Sequence, residues 1–216
     1  MLNMDFSQRV VINTTTTDWQ VSPAVGVQRK QLEREQAEHG RATSIVRYQP
    51  GSRFSAHEHP MGEEILVLDG VFSDQSGHYP AGCYLRNPPG SAHAPYSTEG
   101  CVLFVKLHQF AADDYSHVKV NTNTSEWLPG YGGLQVMPLH QFGGEQVALV
   151  KWLAGEVFKP HRHFGGEEIL VLSGEFIDEH GRYPSGTWMR SPHGSLHTPR
   201  VERETIIYVK TGHLPL

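Results

Sequence analysis

The sequence predicts an all-β protein built from two tandem copies of one barrel or sandwich domain. Three observations lead there. Gly51–Lys106, moved along by 104 residues, falls on Gly155–Lys210 without a gap, and 26 of the 56 positions are identical. A repeat this long is a whole domain, not the ~20–50-residue unit of a solenoid. Within each copy, short β-branched and apolar runs such as EILVLDGVF are bounded by Gly, Pro, Asn and Asp turns, the pattern of a closed all-β architecture. The one helix-like stretch, QRKQLEREQAEH, has as its counterpart QVMPLHQFGGEQ, with Pro138 and two glycines, so a long helix is not a shared element.

Taken in order, residues 1–18 are polar and Thr-rich and read as an extended arm. Trp19 and its counterpart Trp127 read as core or interface aromatics. A short β-like run follows each, Ala42–Tyr48 and Gln146–Leu153. Upstream of Gly51 the two copies differ by four residues, and the polar stretch Glu33–Arg41 is expected to hold the extra length as a loop. The polar, turn-prone DDYSHVKVNTNT places the boundary near 113–124, which gives domains 1–112, arm included, and 113–216.

Composition narrows the function. Eighteen Lys and Arg against 23 Asp and Glu give a net charge of −5 with no basic run, which argues against nucleic acid or an anionic membrane as partner. No apolar run approaches the ~20 residues that span a bilayer, and the N-terminus lacks the apolar core of a signal peptide. Cys83 and Cys101 are the only cysteines, and neither recurs in the other copy. Two unpaired thiols suit a reducing, cytoplasmic setting. Fourteen histidines exceed what packing asks of a chain this size and point to metal or proton chemistry.

The histidines carry the chemistry. In a strand, residues i and i+2 share a face, so His57 and His59 project side by side, as do His161 and His163. A carboxylate follows each pair after a tight turn, Glu63 beside Glu64 and Glu167 beside Glu168, and alternation sends only one of each doublet inward. His93 and His197 arrive from far along the chain, each just after a Pro-x-Gly turn. A lone His-x-His is more often surface than ligand. The same set at the same spacing twice, among residues that mostly differ, is metal-binding. Three imidazoles and a carboxylate suit a transition metal over calcium or magnesium. Ser55 and Arg53, two and four residues before His57, and Lys159 in the second copy are candidate pocket residues. Arg86 and Arg190 read as structural ion-pair partners, and Tyr79 and Tyr183 as turn residues without a chemical role.

Residues 51–70 read Gly-x5-His-x-His-x3-Glu-x6-Gly, and 82–93 read Gly-x5-Pro-x-Gly-x2-His; 155–174 and 186–197 repeat both. These resemble the two cupin motifs, so the chain resembles a bicupin. The resemblance implies a double-stranded β-helix, or jelly-roll, barrel per domain with the metal inside, and it selects Glu63 and Glu167 as ligands over Glu64 and Glu168. The Asn that often ends the second motif is replaced by Ser97 and Val201. The run GGEEILVLSGEFIDEHGRYPSG with RSPHGSLHTP is similar, more narrowly, to the cupin domain of ChrR-type anti-sigma factors, which implies a bound metal such as zinc. Those regulators hold their sigma factor with a separate helical His/Cys zinc domain. This chain has no Cys-x-x-Cys and carries a second cupin where that domain would stand, so sigma-factor binding does not carry over with the motifs.

The expected protein is a bicupin with two divalent transition-metal sites, zinc first, with iron, manganese or nickel as alternatives. The expected function is regulation, sensing or binding of a small molecule. The alternative is a metal-dependent, iron-type dioxygenase acting on a small diketone or phenolic ketone. Tandem cupins can pair with each other as single-domain cupins do in dimers, so a monomer is sufficient, and a homodimer is common in the family.

Overall fold

The computed structural model describes residues 1–215, and every regular element among them is a β-strand. Two compact units form. The first comprises Met1–Met4 and Asp18–Ser125; the second comprises Asp5–Thr17 and the chain from Glu126 onward. Among the described residues, no helix is long and apolar enough to cross a membrane.

Each unit is built on one antiparallel sheet with the same strand order. In the first, the order is Val118–Asn121, Cys83–Asn87, Glu63–Asp74, Cys101–Leu107, Ala42–Tyr48, Val27–Arg34 and Gln20–Val21. In the second it is Val10–Asn13, Thr187–Ser191, Glu167–Ser173, Thr205–Thr211, Glu145–Trp152, Gln135–Phe142 and Leu128–Pro129. The outer strand of each unit therefore comes from the other side of the expected 112/113 division. The Thr-rich arm is a strand along Thr187–Ser191, and the polar linker is a strand along Cys83–Asn87. Both cover what would be open sheet edges.

The helix-like QRKQLER lies within strand Val27–Arg34, paired with Ala42–Tyr48, and its one apolar residue, Leu32, is fully buried. A β-bulge interrupts this strand between Gln31 and Glu33, and its counterpart interrupts the second unit between Pro138 and His140. The extra length does fall mainly in the loop that follows. The link from Arg34 to Ala42 is three residues longer than that from Gln141 to Gln146, which sit at the same register. Trp19 and Trp127 are half-buried, not core, residues. Lys30 and Arg47 lie over the Trp19 ring at 4.5 and 4.2 Å, and Lys151 lies over Trp127 at 4.6 Å.

Strand Glu63–Asp74 is central in its sheet and is buried on both faces over its first five residues, which explains an unbroken EEILV where a half-exposed strand would alternate. Ile65 and Val67 join Tyr48, Phe72, Leu85 and Leu103 in the barrel core; Ile169, Val171, Trp152 and Phe176 do the same in the second unit. Short strands close over that core, His57–Glu58 against Ala92–His93 and His161–His163 against Ser195–His197. They lay the motif histidines over the barrel interior.

The motif glycine within this strand, Gly70, meets two demands at once. Gly70 has φ +71°, and a Cβ there would sit 2.1 Å from the Gly100 carbonyl oxygen. Gly51 has φ +77° but open space around its missing Cβ. Gly70→Ala is expected to lower unfolding free energy by more than the ~1 kcal/mol expected of Gly51→Ala, which carries backbone strain alone. Urea denaturation of the two variants checks this, and equal losses would show that the Gly100 carbonyl yields.

Candidate functional site

The four predicted residues of each copy come together. His57, His59, Glu63 and His93 each offer a ligand atom within 4.8 Å of the others, and His161, His163, Glu167 and His197 do the same. All but His57 and His161 are buried. The strands explain the convergence. Antiparallel pairing sets His93 opposite His57 and His197 opposite His161, while alternation brings His59 and His163 to the same face.

The ring nitrogens are oriented by what binds the other side of each ring. His57 Nδ1 lies 2.9 Å from the Ser55 carbonyl oxygen and His161 Nδ1 lies 3.0 Å from that of Lys159. A carbonyl only accepts, so both Nδ1 atoms carry the proton and both Nε2 atoms keep a lone pair. His59 Nδ1 is 3.0 Å from Ser91 Oγ, whose own proton goes to the Pro88 carbonyl at 2.6 Å, so this Nδ1 also donates. Asp74 Oδ2 stands 3.4 Å from His93 Nδ1, and Asp178 Oδ2 stands 3.7 Å from His197 Nδ1. Three or more lone pairs thus face one point in each site.

Those lone pairs lack donors. Among the described residues, His59 Nε2, His93 Nε2 and Glu167 Oε2 are buried without a hydrogen-bond partner. Glu63 Oε2 is 3.3 Å from His59 Nε2 and 3.4 Å from His93 Nε2, yet neither ring nitrogen is hydrogen-bonded to it. Acceptors gathered in a buried place repel one another unless a cation or a proton lies between them. In the second site a proton serves. His163 Nε2 and His197 Nε2 are 3.0 Å apart, so one must be protonated. Burial pulls His197 down, but the Asp178 and Glu167 carboxylates carry it above its ordinary value. Burial, with His197 and His161 nearby, pushes His163 down to about 3, so His197 donates. Burial likewise pushes His59 down to about 4 and lowers His93 and His161, which keeps these rings neutral and able to ligate near pH 7. Burial raises Glu167 to about 7. Nearby positive charge would favour its ionised form. The donor set, its orientation and its orphaned atoms fit a divalent metal in each domain.

The doubled glutamates divide their work. Glu63 faces the cluster and accepts from Asn87 Nδ2 at 3.1 Å, while Glu64 faces away and pairs with Arg86 at 2.9 Å. Arg86 also holds Asp114 at 2.6 Å, so it is the buried structural partner its sequence suggests. Glu168 accepts from Trp188 Nε1 at 2.7 Å, again away from the cluster.

Arg53, Ser55 and Lys159 do not present side chains to a cluster. Residues 54–56 leave the strand path, which breaks the alternation that would have pointed Arg53 and Ser55 inward, and both are exposed. Lys159 is exposed, with Nζ 4.5 Å above the Tyr131 ring. Ser55 and Lys159 act through their carbonyls, as above. In the first domain the space beside the cluster is a cavity of about 490 Å³, walled by Tyr48, Phe54, Phe72 and Leu103, among others, and reached by Arg29 and Arg34.

Sequence reasoning missed the layer behind the ligands. Tyr79 and Tyr183 are not idle turn residues. The Tyr183 hydroxyl donates to Asp178 at 2.7 Å and accepts from Arg9 at 2.7 Å; the Tyr79 hydroxyl donates to Asp74 at 3.3 Å and accepts from Lys119 at 2.8 Å. Burial alone would raise Asp178, but its hydrogen bonds and the nearby His197 and Arg9 bring it to about 2. The signal was in the repeat, since Asp74/Asp178, Tyr79/Tyr183 and Ser91/Ser195 are identical pairs. His193, which stands where the first copy has Pro89, accepts from the Gly165 N–H at 2.9 Å and braces the turn before Glu167.

A family model of the ChrR cupin-like domain matches residues 7–111 and again 115–215. The chain belongs to the ChrR cupin-like family. No curated protein matches it significantly. Solved structures share its fold. A proposed dioxygenase from Nostoc punctiforme superposes with a TM-score of 0.77 at 14% identity, covering 95% of this chain and 82% of its own. An Escherichia coli pirin in complex with nickel(II) gives 0.71 at 14% identity, covering 96% and 99%. A Bacillus subtilis oxalate decarboxylase variant gives 0.65 at 12% identity, covering 94% and 76%. At these identities the likeness is one of fold.

Two outcomes follow from the geometry. In metal-free protein, Glu167 with its pKa raised to about 7 is at no disadvantage below pH ~4.5 and costs stability as pH rises through 7. Glu167→Gln should therefore stabilise the metal-free second domain at pH 8, by up to roughly 3 kcal/mol, and change little at pH 4.5. Thermal melts at the two pH values read this; destabilisation at pH 8 would show the carboxylate already compensated. Ser91→Ala frees His59, whereas Ser195 Oγ has no hydrogen-bond partner among the described residues. Competitive chelation should show about a 10–100-fold loss of metal affinity for the first variant and little for Ser195→Ala.

Proposed function

We propose that this protein binds two divalent transition-metal ions, one per cupin domain, and takes a small organic molecule into the first domain beside its ion. His57, His59, Glu63 and His93 would hold one ion; His161, His163, Glu167 and His197 would hold the other. The observation that carries the reading is the gathering of three imidazoles and a carboxylate within 4.8 Å in each domain, with His59 Nε2, His93 Nε2 and Glu167 Oε2 buried and unpartnered among the described residues, beside an apolar-walled cavity in the first domain. Its volume falls within the range of about 300–1,000 Å³ usual for small-molecule sites. Zinc is the expected ion, and the same donors accept iron, manganese or nickel.

A second reading is supported by the same cavity. A metal with a free coordination position beside an apolar chamber supplies Lewis-acid or redox chemistry, which suits a dioxygenase acting on a small diketone or phenolic ketone. In that case the chain's own contribution is to exclude water with Phe54, Phe72 and Leu103 and to fix the ligand rings through Ser55, Ser91 and Asp74. Four protein ligands leave room for a substrate only on a five- or six-coordinate ion, so a tetrahedral zinc site would favour binding over catalysis.

Metal analysis after reconstitution is expected to give two equivalents per chain, falling to one in both His59→Ala and His163→Ala. Well under one equivalent in the parent protein would overturn the metal reading. Oxygen uptake by iron-loaded protein with small diketones separates the two functions. Turnover lost in His57→Ala establishes the enzyme; no turnover with any diketone, at full metal content, leaves the binding protein.

A further inference from the structure

The cavity of the first domain has a pair of arginines in its wall, apart from its metal cluster. The bulge between Gln31 and Glu33 shifts the alternation of strand Val27–Arg34, so that Arg34 joins Val27 and Arg29 on the cavity wall while Glu33 turns to Thr43 and Arg41. Arg29 grips Glu38 with both terminal nitrogens, Nη1 at 3.0 Å and Nη2 at 2.6 Å, and Arg34 Nη2 reaches the same carboxylate at 3.3 Å. Glu38 sits in the long loop between Arg34 and Ala42. Its side chain is 45% exposed, whereas those of Arg29 and Arg34 are 14% and 10% exposed.

We propose that Arg29 and Arg34 are the carboxylate-recognition pair of the first domain, that Glu38 holds their place in the free protein, and that the small molecule taken up is a carboxylic acid with an apolar body. This rests on the reading of the cavity as a ligand site. Two guanidiniums share one carboxylate, so the pair keeps a net positive charge. The planar fork already grips a carboxylate in the two-point geometry an acid would use. The placeholder sits on a surface loop with its side chain 45% exposed, so solvent screens its pairing with the arginines and can reach it as it leaves. Glu58 is the other acidic residue lining the cavity outside the metal cluster, and it is exposed. The rest of the wall between the arginines and the cluster is largely apolar, with Val46, Tyr48, Ile65, Phe72 and Leu103, which selects the body of the ligand.

The second domain lacks the pair. By strand register, Val136 stands where Arg29 stands, and Gln141 stands where Arg34 stands. The loop that carries Glu38 shrinks to Gly143-Gly144 between strands. The two cupins thus share a metal site and differ in what they admit beside it.

Isothermal titration of the zinc-loaded full-length protein with 3-phenylpropionate and with its neutral amide tests the assignment. The acid is expected to bind at least about tenfold tighter than the amide. Arg29→Gln combined with Arg34→Gln should abolish that preference while leaving the amide unchanged. Glu38→Gln should tighten the acid roughly three- to tenfold, and His163→Ala should alter neither. Equal binding of acid and amide, no binding of either, or a preference that survives the double substitution would overturn the inference; the last result would assign the carboxylate to the metal. Weaker acid binding by Glu38→Gln would overturn the placeholder role. The same titration with chelator-treated protein keeps the two readings apart. If elemental analysis finds no metal yet the arginine-dependent preference persists, the metal reading fails and this one stands.

Discussion

Everything in each domain turns on where the Nδ1 protons of three histidines go. In the first domain the Ser55 carbonyl and the Ser91 hydroxyl draw the His57 and His59 protons outward and Asp74 stands 3.4 Å from His93 Nδ1, which leaves the Nε2 lone pairs facing inward. Buried acceptors facing one another raise the energy of the metal-free fold, and the protein accepts this because β-strand geometry gives the side chains no other direction. The register of His57–Glu58 against Ala92–His93 sets the two histidines opposite each other and on one face. Strain of this kind is relieved by a cation and is expected where function lies.

The sheet exists to hold that arrangement still. Glu63 is the first residue of a central strand whose next residue, Glu64, is locked to Arg86 on the opposite face, so a slip of one residue would exchange cluster carboxylate for ion-pair carboxylate. Asp74 ends the same strand and reaches back to His93. One strand thus supplies a ligand at its start and the support of another ligand at its end. In the second domain the strand is divided, Glu167–Ser173 and Glu175–Asp178, and Asp178 gathers His197, Tyr183 and Arg9 in the same way. The two sites differ most outside this frame, in the wall of strand Val27–Arg34 and the loop after it.

The ligand sets and the all-β class were legible because both are written in local spacing and then written again 104 residues on. The doublet Glu63-Glu64 was not resolved by alternation alone; the motif resemblance chose between them, and the structure places Glu63 with the histidines. Arg53 and Ser55 would share the face of His57 only if a strand ran through residues 54–56, and none forms there. Arg29 and Arg34 were invisible because five residues apart is the wrong parity for one face of a strand, and only a bulge corrects it. The supporting layer of Tyr79, Tyr183, Arg9 and Lys119 depends on contacts between segments far apart in sequence, which no local pattern encodes.

Anomalous diffraction from crystals of zinc-loaded protein tests the central claim most directly. The account predicts two peaks per chain, one within about 2.0–2.2 Å of the Nε2 atoms of His57, His59 and His93 and a carboxylate oxygen of Glu63, the other at the matching atoms of His161, His163, His197 and Glu167. Peaks absent from these clusters, or bonded through Nδ1, would contradict it.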